Sequence, residues 1–174
     1  MDDRQTPWPT AWLMTDHRLG ERLWEILPRM PAGSGVVLRD LSIGVEVARI
    51  CHEHRLVLAV SGDVAMAERL GAALVHNPLA PTAKPFICSV HDAAEARQAK
   101  ADGAALAFVS PVYPTRSHPG APGLGIEKAL RLAKMAGIRA IALGGMDERK
   151  FKNLGERGFH GWAGIDAWLN RRDR

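Results

Sequence analysis

Short apolar runs alternate along the chain with segments in which apolar side chains recur at helical spacing. The runs have the length of buried strands, and the recurring segments have the period of amphipathic helices. The predicted strands are residues 11–15, 35–38, 56–60, 72–75, 86–89, 105–109, 139–143 and 161–164. The predicted helices are residues 19–30, 43–54, 64–70, 92–102, 126–136, 147–157 and 166–172.

This alternation predicts an α/β fold with a parallel sheet, because strands joined by helices run in one direction. Eight continuously apolar strands predict a compact (β/α)8 TIM barrel, and a doubly wound open sheet is the alternative. Pro78 and Pro81 interrupt the segment after the fourth strand, so outer helix 4 is predicted to be missing or reduced. Residues 1–10 are interpreted as a tail and residues 11–174 as a single TIM-barrel domain.

Composition and charge narrow the function classes. The chain is 47% hydrophobic and 24% charged, which is ordinary for a globular protein. No apolar run approaches the roughly eighteen residues of a membrane span. The net charge is +4, but basic and acidic residues are mixed, which disfavours nucleic acid and suits a small anionic ligand. Cys51 and Cys88 lack metal-type spacing, so we expect free thiols in a cytoplasmic protein. Whether the chain forms a homo-oligomer is left open.

A loop over residues 110–125 follows the sixth strand and carries Thr115, Ser117 and His118. Long loops inside compact domains are usually functional. In a parallel barrel this loop shares one face with the other strand-to-helix loops, where ligands bind. The further candidates on that face are Arg39, Ser61, Ser89, His91, Gly144, Gly145 and Asp166.

Two of these candidates suggest an anion site. Gly144 and Gly145 follow the seventh strand and precede a helix opened by Asp147, so an anion can approach free backbone N–H groups there. A plain tight turn is the alternative. Arg39 is expected to pair with an anion, with Asp16 or with Asp40.

Histidines and aspartates near this face have less specific signals. His91 and His118 are the histidines expected in the site, although neither has a clear triad partner or metal set. The histidines interpreted as structural are His52, His54, His76 and His160. The aspartates interpreted as caps or loop residues are Asp16, Asp40, Asp63 and Asp166.

The loops, in this order, resemble those of the thiamine phosphate synthase/TenI family. Ser89-Val90-His91 is similar to that family's S-x-H after strand five, and residues 110–122 resemble its loop G-P-V-F-x-T-x-T-K-x-G-A-P. Residues 142–146 resemble A-I-G-G-I, and residues 37–40 resemble the start of Q-L-R-x-K. The likeness spans nearly the whole chain, and the long loop is its most specific part.

The resemblance implies a role in thiamine biosynthesis. The family's synthases are transferases that join hydroxymethylpyrimidine diphosphate to thiazole phosphate and release pyrophosphate, with Mg²⁺ as the expected cofactor. It therefore implies a small phosphorylated thiazole or pyrimidine ligand, with no nucleic acid or membrane partner. Arg39, Ser89, Thr115 and Ser117 match the family's substrate-contacting positions, and Gly145 matches its backbone site for the thiazole phosphate.

Several family residues are replaced. Gly62 stands where the family has a metal-binding Asp, and the second metal Asp after strand four has no counterpart. His118 replaces the loop lysine, and Asp166 replaces the serine that faces the thiazole phosphate. These replacements predict that the Mg²⁺ and pyrophosphate ligands are largely lost.

Three functions stay open. The first is a thiamine phosphate synthase with an altered metal site that uses Asp40 or Asp63. The second is a non-catalytic relative that binds a phosphorylated ligand. The third is a TenI-like thiazole tautomerase with His91 or His118 as general base. The candidate catalytic residues are Ser89, His91 and His118.

Overall fold

The computed structural model describes residues 8–116, 120, 122–154 and 157–169 and contains a closed barrel of eight parallel strands. Each strand pairs with the next one along the chain, and β8 returns to β1 with Leu13 opposite Gly164. The strands are β1 Ala11–Met14, β2 Gly35–Leu38, β3 Val57–Ser61, β4 Leu74–His76, β5 Phe86–Val90, β6 Leu106–Val109, β7 Arg139–Leu143 and β8 Gly161–Gly164. The predicted TIM barrel is confirmed, and the open-sheet alternative is wrong.

Side chains alternate between the inside of the barrel and the face that packs on the helices. Inside, Trp12 and Phe108 meet edge to face at 5.5 Å between ring centroids. The buried interior cluster consists of Trp12, Met14, Val37, Ala59, Leu74, Ile87, Leu106, Phe108, Ile141 and Ala163. Because these side chains fill the interior, a ligand has access only at the barrel ends.

Seven α-helices lie around the barrel in the described residues. They are α1 Arg22–Ile26, α2 Gly44–Glu53, α3 Val64–Arg69, α4 Ala93–Ala101, α5 Ile126–Ala136, α6 Glu148–Leu154 and α7 Asp166–Leu169. Several begin at an aspartate whose carboxylate accepts backbone N–H bonds, as Asp92 does from Ala94 and Glu95 at α4. None of the helices in the described part of the chain is long and apolar enough to cross a membrane.

The connection from β4 to β5 contains no helix, which confirms the prediction for this segment. Pro78 and Pro81 lie in it, and Asn77 at its start adopts a left-handed φ of 46°. Lys84 lies across the gap, where its Nζ donates to the Ala72 carbonyl at 3.0 Å and pairs with Glu68 at 3.3 Å. The barrel therefore closes with one outer helix fewer than the full set.

The first predicted helix, residues 19–30, is wrong as a single element. The chain instead forms a 3-10 turn at His17–Leu19, the short α1, and a second 3-10 turn at Leu27–Arg29. Gly20 ends the first turn at φ 48° and ψ −139°, and Pro28 lacks the N–H that a longer helix needs. The apolar spacing is satisfied all the same, since Leu23, Ile26 and Leu27 are buried.

Other boundaries shift by a few residues. The fourth strand begins at Leu74 and not at Ala72, because the Ala72 N–H bonds the Ala67 carbonyl at the end of α3. The predicted ends of the last two helices fall partly on residues 155–156 and 170–172, which lie outside the described residues.

Candidate functional site

The carboxyl ends of the strands surround a cavity of about 1940 Å³. Six of the predicted site residues line it, namely Arg39, His91, Thr115, Gly144, Gly145 and Asp166. Ser61 and Ser89 do not line it and instead bond a histidine at the strand ends. Ser117 and His118 lie outside the described residues.

The start of the long loop packs directly against the glycine pair after β7. The Val112 N–H donates to the Leu143 carbonyl at 2.8 Å, and the Tyr113 N–H donates to the Gly144 carbonyl at 3.0 Å. A Cβ on Gly144 would lie 2.6 Å from Cα of Pro111, and one on Gly145 would lie 2.8 Å from the Pro114 carbonyl. Both glycines also have positive φ, 93° and 60°. Close packing of the loop alone therefore requires glycine here.

The same turn keeps backbone donors available. Within the described part of the chain, no hydrogen bond uses the N–H groups of Gly144 or Gly145. Lys150, in the first turn of α6, donates its Nζ to the Gly145 carbonyl and lies 4.8 Å from the centre of the Tyr113 ring. A cation and two N–H groups thus lie beside the cavity, an arrangement that suits a phosphate.

Lys150 was not among the sequence candidates. Its backbone N–H bonds the carboxylate of Asp147 at 2.7 Å, which fixes the start of α6. The signal in the sequence was therefore the Asp147 cap, since the residue three positions after a cap faces back toward the turn.

Asp16, after β1, organises the arginines on one side of the mouth. Its carboxylate accepts from Nε of Arg18 at 2.7 Å and from Nη1 of Arg39 at 3.3 Å. Burial opposes ionisation of Asp16, but the hydrogen bonds from Arg18 outweigh it, and the pKa of Asp16 lies below its ordinary value. Arg39 thus pairs with Asp16, one of its expected partners, whereas Asp40 accepts from Ser42.

Asp166, after β8, has arginine partners as well. Nε of Arg116 lies 3.0 Å from its Oδ2, and Nη1 of Arg18 lies 3.9 Å from its Oδ1. The loop after β6 is thereby tied to the loop after β8. A lone carboxylate here would repel a phosphate, but the two arginines compensate much of its charge.

His76, at the end of β4, bridges two predicted site residues. Its Nδ1 lies 3.2 Å from Oγ of Ser61, and its Nε2 lies 3.1 Å from Oγ of Ser89. The side-chain amide of Asn77 donates a hydrogen bond from Nδ2 to the same Ser89 hydroxyl at 3.0 Å. Burial, helped by the positive charge of Arg39, lowers the pKa of His76 to about 4. The imidazole is therefore neutral at pH 7.

His76 was interpreted from the sequence as a structural strand-end histidine, and it lies at a strand end. What that interpretation missed is its bridge between two of the site candidates, Ser61 and Ser89. The signal in the sequence was the alternation of side chains along a strand. His76 lies two residues after the inward-facing Leu74, and Ser89 lies two residues after the inward-facing Ile87, so both face the barrel interior.

His91 lies at the rim beside an acidic partner. Its Nδ1 lies 2.9 Å from Oε2 of Glu95, and its backbone N–H bonds the same oxygen at 2.6 Å. The contact fixes the ring orientation through Nδ1. Because His91 also lines the cavity, Nε2 is the ring nitrogen left to meet a ligand.

Asp40 and Asp63, the two carboxylates expected to serve an altered Mg²⁺ site, do not line the cavity. Asp40 accepts from the Ser42 N–H at 3.0 Å and from its hydroxyl at 2.6 Å. Asp63 accepts from the Met66 N–H at 2.8 Å. Both carboxylates therefore cap helical turns, as the sequence indicated. No three His, Cys, Asp or Glu side chains in the described ranges form a group that could hold a metal ion.

The chain is similar in sequence to known proteins of one family. A family model described as thiamine monophosphate synthase, TMP-TENI, matches residues 40–168. The chain is 33% identical over 81 residues to the putative thiamine-phosphate synthase 2 of Aquifex aeolicus, covering 47% of the chain and 44% of that relative. It is 31% identical over 125 residues to the thiamine-phosphate synthase of Chromobacterium violaceum, covering 65% of the chain and 60% of the relative. The chain thus spans about half the length of the curated relatives it matches.

A solved structure has the same fold. The thiamine phosphate pyrophosphorylase from Pyrococcus furiosus superposes with a TM-score of 0.79 at 20% identity, over 96% of this chain and 90% of that one. The family model covers well over half of the sequence, including every strand end from β3 to β8. The chain therefore belongs to the thiamine phosphate synthase/TenI family.

Proposed function

We propose that this chain is a thiamine-phosphate-synthase-like protein of thiamine biosynthesis that binds a phosphorylated thiazole or pyrimidine at the barrel mouth. The observation that carries the proposal is the turn at Gly144 and Gly145, whose N–H groups border the cavity with Lys150 beside them. Membership of the family supports thiamine biosynthesis as the setting.

The residues of the mouth have separate roles in this proposal. The N–H groups of Gly144 and Gly145 bind the phosphate, and the hydroxyl of Thr115 contacts the same ligand from the long loop. Ser117 and His118 are proposed to extend that contact. Arg39 supplies positive charge from the opposite side of the mouth, where Asp16 holds its guanidinium.

Ser61 and Ser89 have a different proposed role. Because both hydroxyls bond His76, they are proposed to hold the ends of β3, β4 and β5 together behind the mouth. The serine hydroxyls and the neutral imidazole exchange hydrogen bonds without a net charge. This neutral network therefore orders the strand ends without adding a charge to the site.

The reaction proposed for this site is the coupling of the family. The bond from the pyrimidine methylene to its diphosphate breaks, and the thiazole nitrogen forms the new bond to that carbon. The chain must bind both rings face to face and compensate the charge of the departing diphosphate. Positioned positive groups are usually a large part of such catalysis.

A direct assay tests the proposal. The protein is incubated with hydroxymethylpyrimidine diphosphate and thiazole phosphate, with and without Mg²⁺, and thiamine phosphate and pyrophosphate are measured. Thiazole phosphate binding is measured by calorimetry in parallel. Product formation supports coupling, whereas binding without product supports a non-catalytic relative. Absence of binding contradicts the proposal.

A matched pair of variants locates the ligand. Thr115→Val removes one hydroxyl from the cavity wall at nearly constant volume and is expected to weaken thiazole phosphate binding about fivefold to tenfold. Thr82→Val makes the same change in the β4–β5 connection, where the Thr82 hydroxyl accepts from the Lys84 N–H at 3.0 Å. This variant is expected to bind as the wild type does.

A tautomerase is the second candidate, and the pair of His91 and Glu95 favours it. A carboxylate on Nδ1 orients the ring and makes Nε2 the base that takes a proton from a bound thiazole. The test substrate is the unaromatised thiazole carboxylate phosphate tautomer. Glu95→Gln is expected to slow its conversion, and a wild type that leaves the tautomer unchanged rules out this candidate.

A further inference from the structure

Five charged side chains form an alternating row around the cavity mouth, in the order Arg39, Asp16, Arg18, Asp166 and Arg116. Successive members are joined at 3.3, 2.7, 3.9 and 3.0 Å. All five line the same cavity. We call these residues the arginine–aspartate row.

The two ends of the row use only part of their guanidinium groups. Arg39 contacts Asp16 through Nη1, and Arg116 contacts Asp166 through Nε. Among the described residues neither side chain has a further hydrogen-bond partner, so each retains several N–H donors. The Arg39 and Arg116 side chains are 49% and 72% exposed, which leaves those donors accessible from the cavity.

The charge of the row is also unbalanced. Three guanidinium groups face two carboxylates, so the row carries a net positive charge. The cavity as a whole is lined by eight arginine or lysine residues and five aspartate or glutamate residues, which leaves the mouth electropositive. An anion with more than one charge is the ligand that fits this excess best.

The metal site of the family and this row occupy the same end of the barrel. Asp40 and Asp63 cap helical turns, and Gly62 carries no carboxylate. Because neither Asp40 nor Asp63 lines the cavity, a diphosphate bound there needs another source of positive charge. Arginine can supply it, because the planar guanidinium matches two phosphate oxygens at once.

We propose that Arg39 and Arg116 together bind the diphosphate of the ligand directly, so that diphosphate binding by this chain does not depend on a divalent cation. The inference rests on the proposed function for the identity of the ligand. Asp16 and Asp166 act as positioning residues that hold the two guanidinium groups at the mouth. Each arginine contacts its aspartate through one nitrogen, so its remaining N–H donors can meet the ligand while the ion pair is kept.

Calorimetric titration with inorganic pyrophosphate tests the inference. The titration is performed once in EDTA and once in excess Mg²⁺. Pyrophosphate is expected to bind in EDTA, with an affinity within about threefold of that measured in Mg²⁺. Raising the salt concentration is expected to weaken the binding, since the contacts are between exposed charges.

Three arginine variants identify the residues. Arg39→Gln and Arg116→Gln are each expected to lower the affinity for pyrophosphate about tenfold in EDTA, because each removes charge-assisted bonds. Arg49→Gln is the matched control: Arg49 is 53% exposed and pairs with Glu46 and Glu53 on α2. It is expected to bind as the wild type does. Far-UV circular dichroism and thermal unfolding confirm that each variant is folded.

Several results overturn the inference. Pyrophosphate binding that disappears in EDTA, or is absent in both conditions, contradicts it. So do Arg39→Gln and Arg116→Gln proteins that bind as tightly as Arg49→Gln. Failure of the proposed function gives a different result. If the chain binds pyrophosphate in EDTA but makes no thiamine phosphate, the inference stands and the proposed coupling reaction is contradicted.

Discussion

The Asp166 carboxylate lies 3.0 Å from Nε of Arg116, a residue fifty positions earlier in the chain. This contact joins the loops after β6 and β8 across the mouth of the barrel. It also places a negative charge where the family has a serine facing the thiazole phosphate. The effect of that charge on ligand binding can be measured.

Asp166→Ser is expected to bind thiazole phosphate about threefold to tenfold more tightly than the wild type. The substitution removes a carboxylate near the phosphate and releases guanidinium donors of Arg18 and Arg116. Calorimetry at low salt measures the change. Asp102→Ser, at the other end of the barrel, is the control and is expected to have no effect. Weaker binding by Asp166→Ser would contradict this expectation and would mean that the positioning of Arg116 by Asp166 outweighs the repulsion of the phosphate.

The buried His76 predicts a loss of stability in acid. Its pKa is about 4 in the folded chain against 6.5 for the unfolded group, so the unfolded state binds the proton first as the pH falls. Stability is therefore retained above pH 6.5 and decreases between pH 6.5 and 4. From pH 7 to pH 4.5 this group alone is expected to cost about 2 kcal/mol of unfolding free energy.

The comparison with His76→Gln isolates that contribution. Glutamine retains hydrogen-bonding groups near Ser61 and Ser89 but does not titrate. Urea unfolding at pH 7 and pH 4.5 is expected to show a smaller acid loss for the variant than for the wild type. Equal losses would mean that His76 is not responsible, since the carboxylates are common to both proteins.

Arg39→Gln is expected to raise the pKa of His76. Burial is the larger cause of the low pKa and is unchanged by the substitution, so the shift should be partial. NMR titration of the imidazole resonances measures it. Arg49→Gln serves again as the control, and a His76 titration that is the same in both variants would contradict the electrostatic coupling.

Gly144→Ala is expected to destabilise the chain by about 2–4 kcal/mol. The new Cβ is strained at φ 93° and would lie 2.6 Å from the Pro111 backbone. Gly103→Ala is the matched control, because Gly103 has φ 73° with nothing within 4 Å of its Cβ position. Chemical unfolding of the two variants separates the cost of backbone strain, which both share, from the cost of the close contact, which only Gly144→Ala has. Equal losses of unfolding free energy would contradict the contact with the loop.

The fold was largely predictable because strand length, apolar runs and glycine stops are local properties. Pro78 and Pro81 identified the missing helix for the same reason. The helix predicted over residues 19–30 failed because its apolar spacing is real, while Gly20 and Pro28 divide the backbone into shorter turns. Spacing reports which side chains are buried and does not guarantee one continuous helix.

The site was predictable in its location but less so in its contacts. Placing residues at the carboxyl ends of the strands identified Arg39, Thr115 and Gly145 around one cavity. The pairing of Asp166 with Arg116, and the bridge of His76 between two serines, depend on side-chain positions from separate strands. No local pattern contains that information. The alternation of side chains along a strand does, however, indicate which polar residues at a strand end face inward.

The hydrogen-bonded layer of Ser61, His76, Asn77 and Ser89 is a boundary between two dielectric environments. Below it the barrel is filled with hydrocarbon, including Leu74, Ile87 and Phe108. The guanidinium group of Arg39 lies close enough to this layer for its charge to lower the pKa of His76. Because the layer is neutral and the interior is weakly polarisable, the electric field of the arginines is screened less on the barrel side than in open water. Their field is thereby concentrated in the mouth, where an anionic ligand arrives.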